Sequence, residues 1–318
     1  MMNLCNPAYV RELLQRYSLA PQKCFGQNFL INADIPARIA GSSALGADCG
    51  WGGGEPCTDE NVCALEIGPG LGAMTRELSE LYSKVVAVEI DRGLIPVLSE
   101  TLADCPNVSV VNEDFMKLDL SSFLKEQFGE RPVRVCANLP YYITSPILMA
   151  ILEGVKPSEK PQVQSVTVLV QSEVADRLCA KAGSGEYGSI TASVALCGTA
   201  KKLFTVPPGS FYPAPKVNSA VCQITLYKNG IRDAFEGLPE DDEELDRFVA
   251  KVKKMIAAAF GMRRKTLTNA LSGMAAKADI EAALERMGLR ADIRGEKLSA
   301  ADFVRLGLEM ENGGSENE

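Results

Sequence analysis

The chain has 318 residues, 46% of them apolar, enough for one large domain and one small one around sizeable cores. Its formal charge of −8 argues against a nucleic-acid partner unless the bases are clustered, so their placement matters more than the sum. Histidine is absent, which excludes Ser-His-Asp triads, Cys-His pairs and histidine-ligated zinc, and no metal site is expected.

The first residues lack a charged start followed by an apolar core, so no export signal is read and a cytoplasmic protein is expected. Ten cysteines without a C-x-x-C pair then read as reduced thiols, with Cys49, Cys57 and Cys63 in or near one loop by chance. Residues 7–19 predict a short amphipathic helix and residues 33–45 a second. Residues 46–61 are glycine-rich and polar and read as a surface loop.

Strands are predicted at 62–67, 84–90, 108–112, 133–137 and 165–171. They alternate with helices at 73–81, 93–103, from 146 onward and at 172–181. That alternation predicts an α/β fold with a mostly parallel, doubly wound sheet. The longest uncharged run, 135–152, is broken by Asn138, Pro140 and Pro146, so no membrane span is expected. Residues 201–206 and 219–227 are two further strands joined by a proline-rich loop and are expected to pair antiparallel. From Gly230 onward only helices are predicted, including one at 280–287 and one opened by a capping box at Ser299 and Asp302. The domains are therefore 1–229 and 230–318, and the polar tail 311–318 is expected to be disordered.

In the helical part, residues 240–246 carry six acids, and residues 247–265 then carry seven bases and no acid. Such a run is a solvated helix face or a phosphate-contacting surface. Nineteen residues without an acid, in an acidic protein, favour phosphate contact.

Two sites carry chemistry. Residues 65–72 read Leu-Glu-Ile-Gly-Pro-Gly-Leu-Gly at a strand-to-helix junction, where doubly wound folds bind nucleotides. Glu89, 21 residues past Gly68 at the tip of the next strand, can accept both hydroxyls of a ribose. Asp114 ends the third strand and can accept an adenine amino group. NAD and S-adenosylmethionine share this logic. Pro69 and Gly72 fit the dinucleotide fingerprint less well, and Glu66 suits a cofactor with an ammonium group and no pyrophosphate.

Seventy residues past Gly68, the next site reads Asn138-Leu139-Pro140-Tyr141. An amine on an adenine ring is a poor nucleophile, because its lone pair is delocalised. The Asn138 side-chain oxygen and the Pro140 carbonyl can each accept one of its N–H groups, and Tyr141 can stack on the base. Alone, an Asn-x-Pro turn after a strand is a common structural feature.

Together these segments resemble the ribosomal RNA adenine N6-dimethyltransferases of the KsgA/RsmA type. The resemblance spans nearly the whole chain. It rests on Phe25-Gly26-Gln27-Asn28-Phe29-Leu30, the glycine segment, Val88-Glu89-Ile90-Asp91, Asn138-Leu139-Pro140-Tyr141-Tyr142, the segment 211–217 from Phe211 to Val217, and Arg263-Arg264-Lys265-Thr266-Leu267. It implies a seven-stranded Rossmann-like methyltransferase sheet with a small all-helical C-terminal domain that recognises RNA. It also implies S-adenosylmethionine as methyl donor. The substrate it implies is a pair of adjacent adenosines in the 3′-terminal hairpin loop of small-subunit rRNA, within an immature 30S subunit, methylated by a monomer.

Carried over by position, Asn28, Leu30, Gly68, Glu89, Asp114 and Asn138 contact the cofactor. Asn138, Leu139, Pro140 and Tyr141 form the acceptor site, with Phe211 a second candidate for gripping the base. Arg263, Arg264 and Lys265 meet RNA. Two features depart from the family pattern: a long 46–61 loop, and Cys24 where a basic residue is common. The other readings are a NAD-dependent dehydrogenase, a non-catalytic assembly factor on the same fold, and the antibiotic-resistance branch that methylates large-subunit rRNA.

Overall fold

A computed structural model of the protein describes residues 3–22, 26–44 and 61–314. The 46–60 stretch, Cys24, Phe25 and the last four residues lie outside them. The chain forms two compact units. The first comprises Met1–Val155, Gln162–Ala175 and Lys201–Thr225; the second comprises Lys156–Pro161, Asp176–Ala200 and Leu226–Glu318. The second unit thus reaches further back than the 230–318 stretch expected from sequence.

The first unit holds a seven-stranded sheet. Its strands are β2 (Cys63–Ile67), β3 (Val85–Val88), β4 (Val108–Val111), β5 (Val133–Asn138), β6 (Val163–Gln171), β7 (Gly198–Val206) and β9 (Ser219–Leu226). The spatial order is β4-β3-β2-β5-β6-β9-β7. Strands β2 to β6 run parallel, and β9 lies antiparallel to β6. Every residue of β2 and β3 is buried; β3 is apolar throughout, and β2 is apolar except for Glu66. The chain leaves β2 toward β3 on one side and returns to β5 on the other. The carboxyl ends of β2 and β5 therefore flank the switch point, where this class of sheet binds its ligand.

Helices α1 (Pro7–Arg16), α2 (Asp34–Ala44) and α3 (Ala73–Leu81) form close to the predicted places. The Asn6 side chain caps α1 by accepting from the Ala8 and Tyr9 N–H groups. The shortest elements are β1 (Phe29–Leu30) and β8 (Phe211–Tyr212), which pair antiparallel with each other and were not predicted.

In the second unit, α8 (Ser189–Cys197) packs with α9 (Asp242–Gly261), α10 (Leu267–Leu271), α11 (Lys277–Arg286) and α12 (Ala300–Gly314) around Phe248, Met255, Leu284 and Phe303. Helix α8 has no counterpart in the sequence reading. The acidic run has a local purpose: Asp241 caps α9 by accepting from the Glu244 N–H at 2.9 Å. Asp242, Glu243 and Glu244 fill the first turn, where the helix dipole favours negative charge. The expected capping box at α12 is formed, with Asp302 Oδ2 accepting from the Ser299 N–H at 2.8 Å. Helix α12 continues to Gly314, so residues 311–314 are ordered, contrary to the disordered tail expected there.

Candidate active site

A cavity of about 110 Å³ opens at the carboxyl ends of β2, β3 and β5. Asn28, Leu30, Gly68, Glu89, Asn138, Leu139, Pro140 and Tyr141 all line it, so the structure brings together most of the residues singled out in the sequence. The glycine segment forms one wall. Gly68 sits at φ +71, a conformation that L side chains rarely adopt, and a Cβ there would meet nothing within 4 Å. The turn therefore needs glycine, and open space lies beside it.

Two acids stand in this wall. Glu66 is buried, and its Oε2 has no hydrogen-bond partner. Burial pushes its carboxyl up to about 8, helped by the nearby Glu89 charge. Glu89 is buried too. Its Oε1 accepts from the Asp91 N–H at 2.8 Å and its Oε2 from the Gly70 N–H at 3.3 Å. Desolvation still raises its carboxyl to about 7 against those bonds. A buried carboxylate oxygen without a partner costs free energy unless a donor or cation meets it. The wall fits a ligand with a cationic group near Glu66 and hydroxyls near Glu89.

The opposite wall is the turn after β5. The Asn138 Nδ2 donates to the backbone carbonyl of Asn28 at 3.0 Å, and its Oδ1 has no partner among the described residues. The Asn28 side chain in turn donates to the Gly26 carbonyl at 3.0 Å. Tyr141 Oη shares a hydrogen bond of 2.7 Å with Ser219 Oγ.

The Pro140 carbonyl departs from the expected role. It accepts from the Ile143 N–H and from Thr144 Oγ1, both at 3.1 Å, at the head of α6 (Thr144–Glu153). Both lone pairs are committed to the helix start. The Leu139 carbonyl, one residue earlier, has no partner among the described residues.

Two other expected residues lie outside the lining. Phe211 is 2% exposed and packs in the core with Leu30, Ile35, Val206 and Val221, so it has no free face for a base. Asp114 caps a 3-10 turn, accepting from the Met116 N–H at 3.0 Å, and faces Lys117 at 3.7 Å. The sequence reading missed Gln27, which donates to Asp91 Oδ2 at 2.8 Å and ties the 26–30 segment to the tip of β3. It also missed Ile90, an apolar lining residue left 46% exposed. Both sit inside quoted motifs, so adjacency to Asn28 and Glu89 was the available signal.

In the second unit the basic triplet divides. Arg263 donates to the Tyr187 carbonyl at 3.1 Å and pairs with Glu296 at 3.6 Å. Arg264 and Lys265 are exposed, and their side chains have no partner among the described residues. Lys251, in the same run, pairs with Glu311 at 3.1 Å.

The strand order, the glycine turn with its acids and the amide-bearing turn after β5 define a Rossmann-like methyltransferase. The model of the family described as "Ribosomal RNA adenine dimethylase" matches residues 20–311. The chain belongs to that family and is an rRNA adenine dimethyltransferase, as the motif resemblance implied. A relative from Lachnoclostridium phytofermentans named "Ribosomal RNA small subunit methyltransferase A" is 39% identical over 311 residues, covering 96% of this chain and 97% of its own. A relative of the same name from Geobacillus thermodenitrificans is 37% identical, with 96% of each chain covered. Among solved structures, the 23S rRNA methyltransferase ErmE is 25% identical with a TM-score of 0.62, covering 89% of this chain and 100% of that one. A dimethyladenosine transferase from Plasmodium falciparum shares the fold with a TM-score of 0.66 at 21% identity, covering 90% of this chain and 98% of that one.

Proposed function

We propose that this enzyme transfers methyl groups from S-adenosylmethionine to the N6 amines of two adjacent adenosines in the 3′-terminal hairpin loop of small-subunit rRNA. In this reading it acts as a cytoplasmic monomer on an immature 30S subunit during ribosome biogenesis. Among the described residues no helix is long and apolar enough to cross a membrane. The observation that carries the reading is the free Asn138 Oδ1 beside a cavity walled by Glu66 and Glu89.

When bound, the cofactor supplies an electrophilic methyl group on a sulfonium sulfur. Glu66 would meet its ammonium group and Glu89 its ribose hydroxyls, while Gly68, Asn28 and Leu30 would give it backbone and packing contacts. Asp114, whose Oδ1 caps the 3-10 turn, would accept the cofactor's adenine amino group through Oδ2. The bond to the Asn28 carbonyl fixes the Asn138 amide, so that Oδ1 is the atom offered to the acceptor amine. The second acceptor is the Leu139 carbonyl, since that of Pro140 is committed to Ile143 and Thr144. Two acceptors draw the amine out of conjugation and aim its lone pair at the methyl carbon. Tyr141, held by Ser219, stacks on the extruded base. The nitrogen loses its proton after transfer, so no strong base is needed, which suits a chain without histidine. Alignment of this kind is worth about 7–11 kcal/mol.

The first compact unit performs the transfer, and the second recognises RNA through Arg264 and Lys265, with Arg263 placing them. The likeness to ErmE favours a second reading, methylation of large-subunit rRNA. The higher identity to relatives named for the small subunit outweighs it. The test is incubation with labelled cofactor and, separately, unmethylated small and large subunits, followed by mapping of the modified nucleotides. Two adjacent dimethyladenosines near the 3′ end of the small-subunit RNA are expected. Label in large-subunit RNA alone overturns the choice of substrate.

A further inference from the structure

Tyr142 has no part in the cavity lining, yet it is the residue after the acceptor tetrapeptide and is 61% exposed. Its neighbour Tyr141 is anchored through Ser219, whereas the Tyr142 side chain has no hydrogen-bond partner among the described residues. Its ring is nevertheless held on one side. Gly26 lies against it so closely that a Cβ there would stand 3.2 Å from Tyr142 Cε1 and 3.0 Å from Pro140 Cβ. Gly26 itself sits at φ +58 and lines the cavity. The ring is therefore backed by the Gly26 backbone at the rim of the site, and its exposure is an aromatic surface already in place.

Resting on the proposed function, we infer that Tyr142 is a positioning residue that stacks on the nucleotide next to the target adenosine. The reaction as read takes adjacent adenosines one at a time, so whichever base is outside the cavity lies at its rim. Aromatic rings bind single-stranded bases by stacking, without needing hydrogen bonds to base edges. A tyrosine ring that already rests against the Gly26 backbone on one side has less freedom left to lose when a base lies on its other face. Tyr142 touches neither the methyl group nor the attacking nitrogen. Its contribution falls on binding of the RNA and not on the chemical step.

The test is steady-state methylation of unmethylated small subunits by Tyr142→Ala, Tyr142→Phe and Asn138→Ala, with cofactor affinity and melting temperature measured for each. Tyr142→Ala is expected to raise KM for the subunit about tenfold, the loss of one stacked base. Its kcat, cofactor affinity and melting temperature stay at the parent values. Tyr142→Phe restores the parent KM, because the ring and not the hydroxyl makes the contact. An unchanged KM in Tyr142→Ala overturns the inference. So does a loss confined to kcat, weakened cofactor binding, or a Tyr142→Phe variant as impaired as the alanine. The Asn138→Ala arm separates the two levels: if it methylates fully the acceptor-site reading itself fails, and if it is silent while Tyr142→Ala is normal only the stacking platform is lost.

Discussion

The Asn138 side-chain Nδ2 donates to the backbone carbonyl of Asn28 across 110 residues of chain, at 3.0 Å. This bond joins two segments that sequence alone could only place side by side as motifs. It fixes which end of the Asn138 amide faces outward, and so which atom the proposed mechanism offers to a substrate amine. It also makes the 26–30 segment part of the proposed acceptor site as well as of the cavity it lines.

The Asn28 segment reaches that position through Gly26. Gly26→Ala must hold a left-handed backbone, which costs about 1–2 kcal/mol. It must also push Pro140 and Tyr142 away, since the new Cβ would meet them at 3.0 and 3.2 Å. Methylation is expected to fall at least about tenfold, with a modest loss of stability in thermal melts, by the ordinary scale of misplacement in an aligned site. Parent activity in this variant would mean that the two segments need not touch.

The two buried acids predict an unusual pH response. Glu66 and Glu89 titrate at about 8 and about 7 in the fold. An unfolded glutamate titrates near 4.3. Their folded values are raised, so the stability linked to them is full below about pH 4.3 and is lost as pH rises toward 8. Acids held low, such as Asp104 beside Arg76, act only below that window. The melting temperature of the ligand-free protein should therefore decline from pH 5 to 8, and Glu66→Gln should flatten most of the decline. Affinity for a cationic cofactor should rise over the same range as the carboxylates ionise. A melting temperature that climbs with pH across this range contradicts the assignment.

Phe211 distinguishes packing from substrate contact. At 2% exposure among Leu30, Ile35 and Val206, it is placed to support the wall and not to grip a base. Phe211→Ala should cost about 3–5 kcal/mol of stability, the usual range for an emptied aromatic site. Phe211→Leu should keep most of both stability and activity. A leucine variant that melts normally but loses methylation would return Phe211 to the substrate.

The basic triplet should split in the same way. Replacing Arg264 and Lys265 with alanine removes two exposed cations and should flatten the salt dependence of RNA binding by about 1.4 in log–log slope, the value for two single-strand phosphate contacts. Replacing Arg263 breaks its bonds to the Tyr187 carbonyl and Glu296 and should lower the melting temperature of the protein first. Equal effects on the salt slope from all three positions would contradict this division.

Much of this was legible in the sequence, for identifiable reasons. Strands β2 and β3 are short, mostly apolar runs, and a glycine turn follows β2, so both strands and the turn between β2 and α3 fall within a residue or two of their predicted places. The acids at the strand tips and the Asn138 turn follow directly from those ends. The pairing of β1 with β8 was not legible, since two residues on each side carry no period and their contact is set by the tertiary fold. Helix α8 was hidden by its Ser, Thr and Val content, residues that favour other conformations in isolation. The two bonds that occupy the Pro140 carbonyl were not legible, because their donors, the Ile143 N–H and Thr144 Oγ1, become visible only once α6 is seen to start there. The burial of Phe211 was not legible either, since its motif position says nothing of which way the ring turns.

The central claim is that Asn138 Oδ1 is the acceptor that prepares the adenine amine. The measurement that tests it most directly is single-turnover methylation of unmethylated small subunits by Asn138→Ala, at saturating cofactor, with melting temperature as a check on folding. Removing one fixed polar group that acts in the transition state should cost about a hundredfold or more in rate, with the fold intact. A folded Asn138→Ala protein that methylates at the parent rate would contradict the account.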